Sequence, residues 1–79
     1  MVESIDLKSV KWRSRRGMLE LDLILQPFID KVFATLSLEM QNLYWQFLEE
    51  EDQDLWRWLL KIEQAPEVYH ELINYVRNI

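Results

Sequence analysis

Apolar residues recur at steps of three and four along most of this chain, the spacing that lines one face of a helix. The clearest run holds Met18, Leu21, Leu25, Phe28, Ile29 and Val32, and it predicts an amphipathic helix from about Met18 to Ala34. Pro27 has no N–H for the carbonyl of Leu23, so a kink is expected there. Before this run, Leu7, Val10 and Ser14 give a thin stripe to a first helix. It starts near Ser4 or Asp6, either an acceptable N-cap, and ends at about Arg16, where Gly17 closes it. After it, Ser37 caps a third helix whose inner face carries Met40, Leu43, Tyr44, Phe47 and Leu48. A fourth begins at Asp52 or Asp54 and runs Leu55, Trp58, Leu59, Ile62, with carboxylates at the positive end of its dipole. Pro66 suits the first position of a fifth, which turns Val68 or Tyr69, Leu72, Ile73 and Val76 inward. No stretch alternates as a strand does over more than a few residues. The expected fold is all-α, one domain over residues 1–79: a compact bundle of about five helices, the second kinked at Pro27.

Composition sharpens this picture. With 79 residues and no cysteine, the chain has neither disulfide nor thiolate metal site to staple it, and it folds on apolar packing alone. Ten aromatic residues, four of them Trp, supply that packing. The net charge of −5 is unevenly spread. Residues 1–17 carry five cations against Glu3 and Asp6, a net of +3, while the remainder carries four cations against twelve acids, a net of −8. Nucleic-acid binding draws its affinity from phosphate neutralisation, so an acidic chain with one basic corner is not built for it. Such a chain suits a polarised protein surface. No segment approaches the roughly 20 apolar residues of a bilayer span, so no membrane insertion is expected. The N-terminus shows neither a basic n-region nor an apolar h-region, and Glu3 and Asp6 are foreign to a mitochondrial presequence. A bacterial cytoplasm is the expected location.

The chemistry available is narrow. One glycine cannot build the glycine-rich loops that cradle dinucleotide or nucleotide phosphates, so no cofactor is expected to be held by this chain. One histidine, His70, in the middle of the fifth helix, reads as a surface or boundary residue. The carboxylates lack the spacing of a calcium loop. No catalytic constellation is marked, and the chain is expected not to be an enzyme.

What remains is the stretch Arg15-Arg16-Gly17-Met18-Leu19-Glu20-Leu21-Asp22, built around the sole glycine. Spacing alone supports two readings. In one, Gly17 is a helix stop and Arg16 pairs with Glu20 at the surface, worth about 0.3 kcal/mol. In the other, Gly17 lets a partner backbone approach, and Arg16 and Glu20 flank it as opposite charges that fix orientation. Arg15 and Asp22 lie beside them, and Lys11, Arg13 and Arg15 extend the basic side. Trp58 sits on the apolar stripe of the fourth helix. Trp56, two residues away, faces elsewhere and is expected to be partly buried.

The Arg16-Gly17-x-x-Glu20 pattern resembles the signature of the FAD assembly factor family, the SdhE-type proteins. Pro27-Phe28, the acidic run Glu49-Glu50-Glu51-Asp52-Gln53-Asp54-Leu55 and the pair Trp58-Leu59 fall where that family's pattern places them, so the likeness covers roughly residues 11–60. Trp12 stands where the family carries an aromatic and Gln53 where proline can occur, and an extended tail such as some relatives carry is not expected after Ile79. The resemblance implies an assembly chaperone for the flavoprotein subunit of succinate dehydrogenase, with fumarate reductase a conceivable second client. FAD would be bound by that partner, and a partner histidine would attack the flavin's 8α position. The motif would face the partner near its flavin-attachment region, with Arg16, Gly17 and Glu20 as the leading contacts and Asp22, Arg15 and Trp12 in support. The alternative is an antitoxin-like or regulatory protein-binding module, a reading also attached to relatives. A DNA-binding domain using the basic first helix is a third, opposed by the net acidity.

Overall fold

Five α-helices and two short 3₁₀ turns, with no strand, form residues 6–78, the part of the chain that the structure, a computed structural model, describes. Helix α1 spans Leu7–Arg13, with Asp6 at its N-cap; Ser4, the other expected start, lies outside the described residues. The helix stops three residues before the expected Arg16. Two hydrogen bonds explain this. Ser14 returns its hydroxyl proton to the Val10 carbonyl at 2.7 Å, and the Arg16 backbone N–H, which a continuing helix would give to Trp12, goes to the Asp22 carboxylate at 2.9 Å. Gly17 does take the left-handed conformation (φ +79°), but in the connection beyond the helix and not as its immediate stop.

Helix α2, Leu19–Lys31, is the central element and packs against α1, α4 (Asp52–Leu59) and α5 (His70–Arg77). Leu21, Leu25, Phe28 and Ile29 are its buried stripe. The helix continues through Pro27, so proline does not divide it; a kink there stays an expectation. It ends earlier than expected, and residues Phe33–Thr35 form a 3₁₀ turn. Helix α3, Leu38–Phe47, begins as the sequence indicates: the Ser37 hydroxyl accepts from the Met40 N–H at 3.1 Å.

Helix α4 starts at Asp52 and buries Leu55, Trp58 and Leu59, but Ile62 is 65% exposed and not on the stripe. Lys61 is the cause. Its φ of +58° turns the chain out of the helix; the Ile62 N–H reaches back to the Arg57 carbonyl at 2.9 Å and the Lys61 N–H to Trp58 at 3.2 Å. This is a Schellman closure with lysine where glycine is usual. Lys61→Gly is therefore expected to raise stability by about 0.5–1 kcal/mol and the melting midpoint by a few degrees. A lowered midpoint in a circular-dichroism melt would show that the Lys61 side chain contributes more than its backbone strain removes.

Pro66 precedes a 3₁₀ turn, Glu67–Tyr69, as its N-cap, and does not start an α-helix; α5 begins only at His70, which is thus not mid-helix. Of the two expected inward residues, Tyr69 is buried and Val68 exposed. Phe28, Phe33, Tyr44, Phe47, Trp58 and Tyr69 stack through the core with ring centroids 5.0–6.3 Å apart. Each such pair adds about 0.5–1.5 kcal/mol beyond its burial. The Cα radius of gyration is 11.6 Å, and a compact chain of this length should measure about 12 Å. No helix among the described residues is long and apolar enough to cross a membrane.

Candidate functional site

Arg16 lies between helices, not on one, so the i, i+4 geometry that would pair it with Glu20 does not arise. Its guanidinium turns inward instead. Nε donates to Asp52 Oδ1 at 2.7 Å, and one terminal nitrogen donates to the carbonyls of Leu48 at 2.7 Å and Arg13 at 3.2 Å. The other donates to the Glu50 carbonyl at 3.0 Å. Arg16 thus ties the end of α1 to the C-cap carbonyl of α3, to the turn that follows it and to the first turn of α4. A cation is favoured at the negative pole of α3, and a planar fork of donors reaches several acceptors that an ammonium cannot reach together. The side chain is 16% exposed and that of Asp52 34%, so this pair is partly shielded from water.

The same residue is held by its backbone, through the Arg16 N–H to Asp22 Oδ1. Asp22 sits one turn into α2, so the connection from Arg16 to Met18 is pinned at both ends. Gly17 stands between those pins with open space around it: an added Cβ would meet nothing within 4 Å. Its conformation favours glycine, and its surroundings leave room for another chain. Next to it, Leu19 and Glu20 are both exposed on the first turn of α2, and among the described residues Glu20 has no ion-pair partner.

Helix α1 is fixed beneath this turn by its other face. Val10 and Ser14 are buried, and the Ser14 Oγ lies 2.7 Å from the Tyr44 hydroxyl. Ser14 already gives its proton to Val10, so Tyr44 is the donor. Burial pushes the Tyr44 hydroxyl well above the ordinary tyrosine range, opposed in part by the nearby Arg16 cation, and the group is a neutral hydrogen-bond donor. The Arg13 guanidinium lies 4.2 Å from the ring centre of Trp45. With positions 10, 13 and 14 inward, Trp12 and Arg15 point to solvent; Trp12 is 74% exposed and takes no part in the core.

The expected contact residues therefore divide. Gly17, Glu20, Arg15 and Trp12 are exposed, whereas the polar groups of Arg16 and Asp22 shape the turn. The acidic run divides too: Glu49, Glu51 and Gln53 are exposed. Asp52 holds Arg16, Glu50 accepts from the Tyr69 hydroxyl at 3.0 Å, and Asp54 pairs with Arg57 at 2.7 Å. Asp52 is the residue that sequence reasoning passed over. The signal for it was an arginine beside the only glycine, facing a short run of acids at a helix start. Trp58 is buried and Trp56 half-buried, as expected, and the His70 ring nitrogen lies 2.8 Å from the Ala65 carbonyl at the boundary. Among the described residues no group of three or more histidine or carboxylate side chains converges on a metal site.

Comparison with known proteins places the chain in a family. The model of the Sdh5 family, described as flavinator of succinate dehydrogenase, matches residues 8–79. The chain belongs to this family. Among its relatives, the FAD assembly factor SdhE of Pseudomonas savastanoi pv. phaseolicola is 40% identical over 79 residues, covering 100% of this chain and 92% of that protein. The protein of the same name from Shewanella oneidensis is 42% identical over 66 residues, covering 84% and 80% of the two chains. That from Pseudomonas putida is 46% identical over 61 residues, covering 77% and 73%. No solved structure matches the chain significantly.

Proposed function

We propose that this chain is a cytoplasmic assembly chaperone that binds the flavoprotein subunit of succinate dehydrogenase and promotes covalent attachment of FAD to it. The observation that carries the reading is the turn at Gly17: open above, pinned below by Arg16 and Asp22, and set in a chain of the Sdh5 family. The relatives are FAD assembly factors, and the family is that of the flavinator of succinate dehydrogenase, which supports the reading.

FAD itself does not fit this chain. A dinucleotide's phosphates need successive backbone N–H groups at close range, usually over several glycines, and the one glycine here lies in an outward turn next to exposed Glu20. The cofactor is the client's, and the bond is formed by the client's own groups. This chain contributes a rigid surface that holds the client's flavin domain in a reactive arrangement, a contribution that needs no catalytic residue here. Gly17 admits the client backbone, Glu20 offers a carboxylate, and Arg16 and Asp22 keep both in register. The acidic balance of the chain argues for a protein client over a nucleic acid.

Two measurements on purified protein test this. Calorimetric titration of the isolated chain with FAD is expected to show no saturable binding, and size-exclusion chromatography with the flavoprotein subunit is expected to show a one-to-one complex. Micromolar FAD binding without the client, or failure to form the complex with either apo or FAD-loaded client, would refute it.

A further inference from the structure

The face of α1 that turns away from the core is not idle. Lys8 and Trp12 lie at i and i+4, with Lys11 between them and Arg15 just beyond the end of the helix, and all four are exposed. Opposite them, Asp22, Gln26 and Asp30 recur at every fourth position of α2. The two rows wall a cleft of about 470 Å³. Its interior is unevenly satisfied. Asp22 accepts the Arg16 N–H at one end, and Asp30 lies 3.8 Å from Lys11 at the other. Between them the Gln26 Nε2 is buried and has no hydrogen-bond partner among the described residues. A buried amide donor without an acceptor is costly, and such a group points to an acceptor supplied from outside. Lys8 and Arg15 likewise form no ion pair among the described residues, although the chain as a whole is acidic.

We infer that this α1–α2 cleft seats an extended acidic segment of the client flavoprotein. A peptide carbonyl or carboxylate takes the Gln26 amide, carboxylates meet Lys8 and Arg15, and the chain lies along the Trp12 ring. The inference rests on the client reading above and deepens it: through Asp22, the cleft and the Gly17 turn share a wall, so one client surface crosses both. An aromatic side chain with cations on either side is a common anchor at protein interfaces, and opposite charges chiefly raise the rate of encounter.

Binding kinetics of the full chain with the flavoprotein subunit test it, with Gly17→Arg as a reference arm. The double variant Lys8→Glu/Arg15→Glu is expected to associate about tenfold more slowly at low salt and to lose most of the salt dependence of association. Gln26→Leu removes the orphan donor at similar volume. It is expected to fold at least as stably as the parent yet dissociate several-fold faster, a combination a merely structural glutamine does not give. Unchanged association of the charge-reversed variant, or unchanged dissociation of Gln26→Leu, with capture lost in Gly17→Arg, overturns the cleft while the client reading stands. Capture of Gly17→Arg as strong as the parent, or no capture of the parent, overturns the client reading and the cleft with it. Saturable micromolar shifts of the Trp12 and Gln26 side-chain resonances on titration with inorganic pyrophosphate or FAD alone would assign the cleft to a phosphate ligand and overturn the peptide.

Discussion

Arg16→Ala is expected to lose about 2–3 kcal/mol of stability and some 10–20 °C of melting midpoint. The substitution removes donors to three carbonyls and one carboxylate that join α1, α3 and α4. Each charge-assisted bond contributes more than a neutral one, but the pair with Asp52 is partly exposed, which lowers the sum. A domain this size has roughly 4–12 kcal/mol in total, so the loss is a large share of it. Arg16→Lys should recover less than half, because an ammonium reaches one acceptor region and not the spread of four. Asp52→Asn keeps a weaker acceptor and should fall between the parent and Arg16→Ala. Thermal melts of the three variants decide the matter. A midpoint for Arg16→Ala within a few degrees of the parent would mean that the guanidinium is not the clamp described here.

Glu20→Ala is expected to behave in the opposite way, weakening the complex while leaving the fold alone. The carboxylate is exposed and unpaired among the described residues, and in the free chain it offers only the modest benefit of a negative charge on the first turn of α2, about 0.3–1 kcal/mol. Facing a cationic group of the client in a desolvated interface, the same carboxylate is worth roughly 2–5 kcal/mol of binding, which is about 30-fold or more, mostly in dissociation rate. Surface-binding kinetics against the apo flavoprotein should show that faster dissociation with a midpoint shifted by only a few degrees. An unchanged dissociation rate would remove Glu20 from the interface, and a collapsed midpoint would make it a structural partner.

The contrast between these two residues marks where sequence pattern was informative and where it was not. Helical periodicity depends on side chains that repeat every turn, so Leu21, Leu25 and Phe28, or Leu72, Ile73 and Val76, were legible as core from their spacing. The Ser37 cap was legible because a hydroxyl before an apolar run has a local partner. Helix ends were harder, since they turned on contacts outside the repeat. Asp22, six residues away, took the Arg16 N–H and shortened α1, and a left-handed lysine closed α4 where no glycine signalled a stop. The candidate site was legible as a turn, because a lone glycine among charges stands out. The roles within it were not. Arg16 and Glu20 look equivalent in sequence, as two charges flanking Gly17, but Arg16 finds Asp52 36 positions on, a pairing that exists only once α3 and α4 have folded back. Gln26 was invisible for the same reason, since an unsatisfied amide is defined by what the fold leaves beside it.

The central claim is that an open, preorganised turn at Gly17 drives covalent flavin attachment in a client without chemistry of its own. Ultraviolet fluorescence of the denatured flavoprotein subunit in a gel reads covalent flavin directly, since only bonded flavin survives denaturation. The subunit would be incubated with FAD in three ways: alone, with this chain, and with Gly17→Arg. A Cβ at this position meets nothing within 4 Å and the left-handed strain is about 1–2 kcal/mol, so the variant should keep its helical circular dichroism while losing the open approach. Strong fluorescence is expected with the parent chain and little with the variant or with none. Equal fluorescence in all three, or full activity of a folded Gly17→Arg, would contradict the claim.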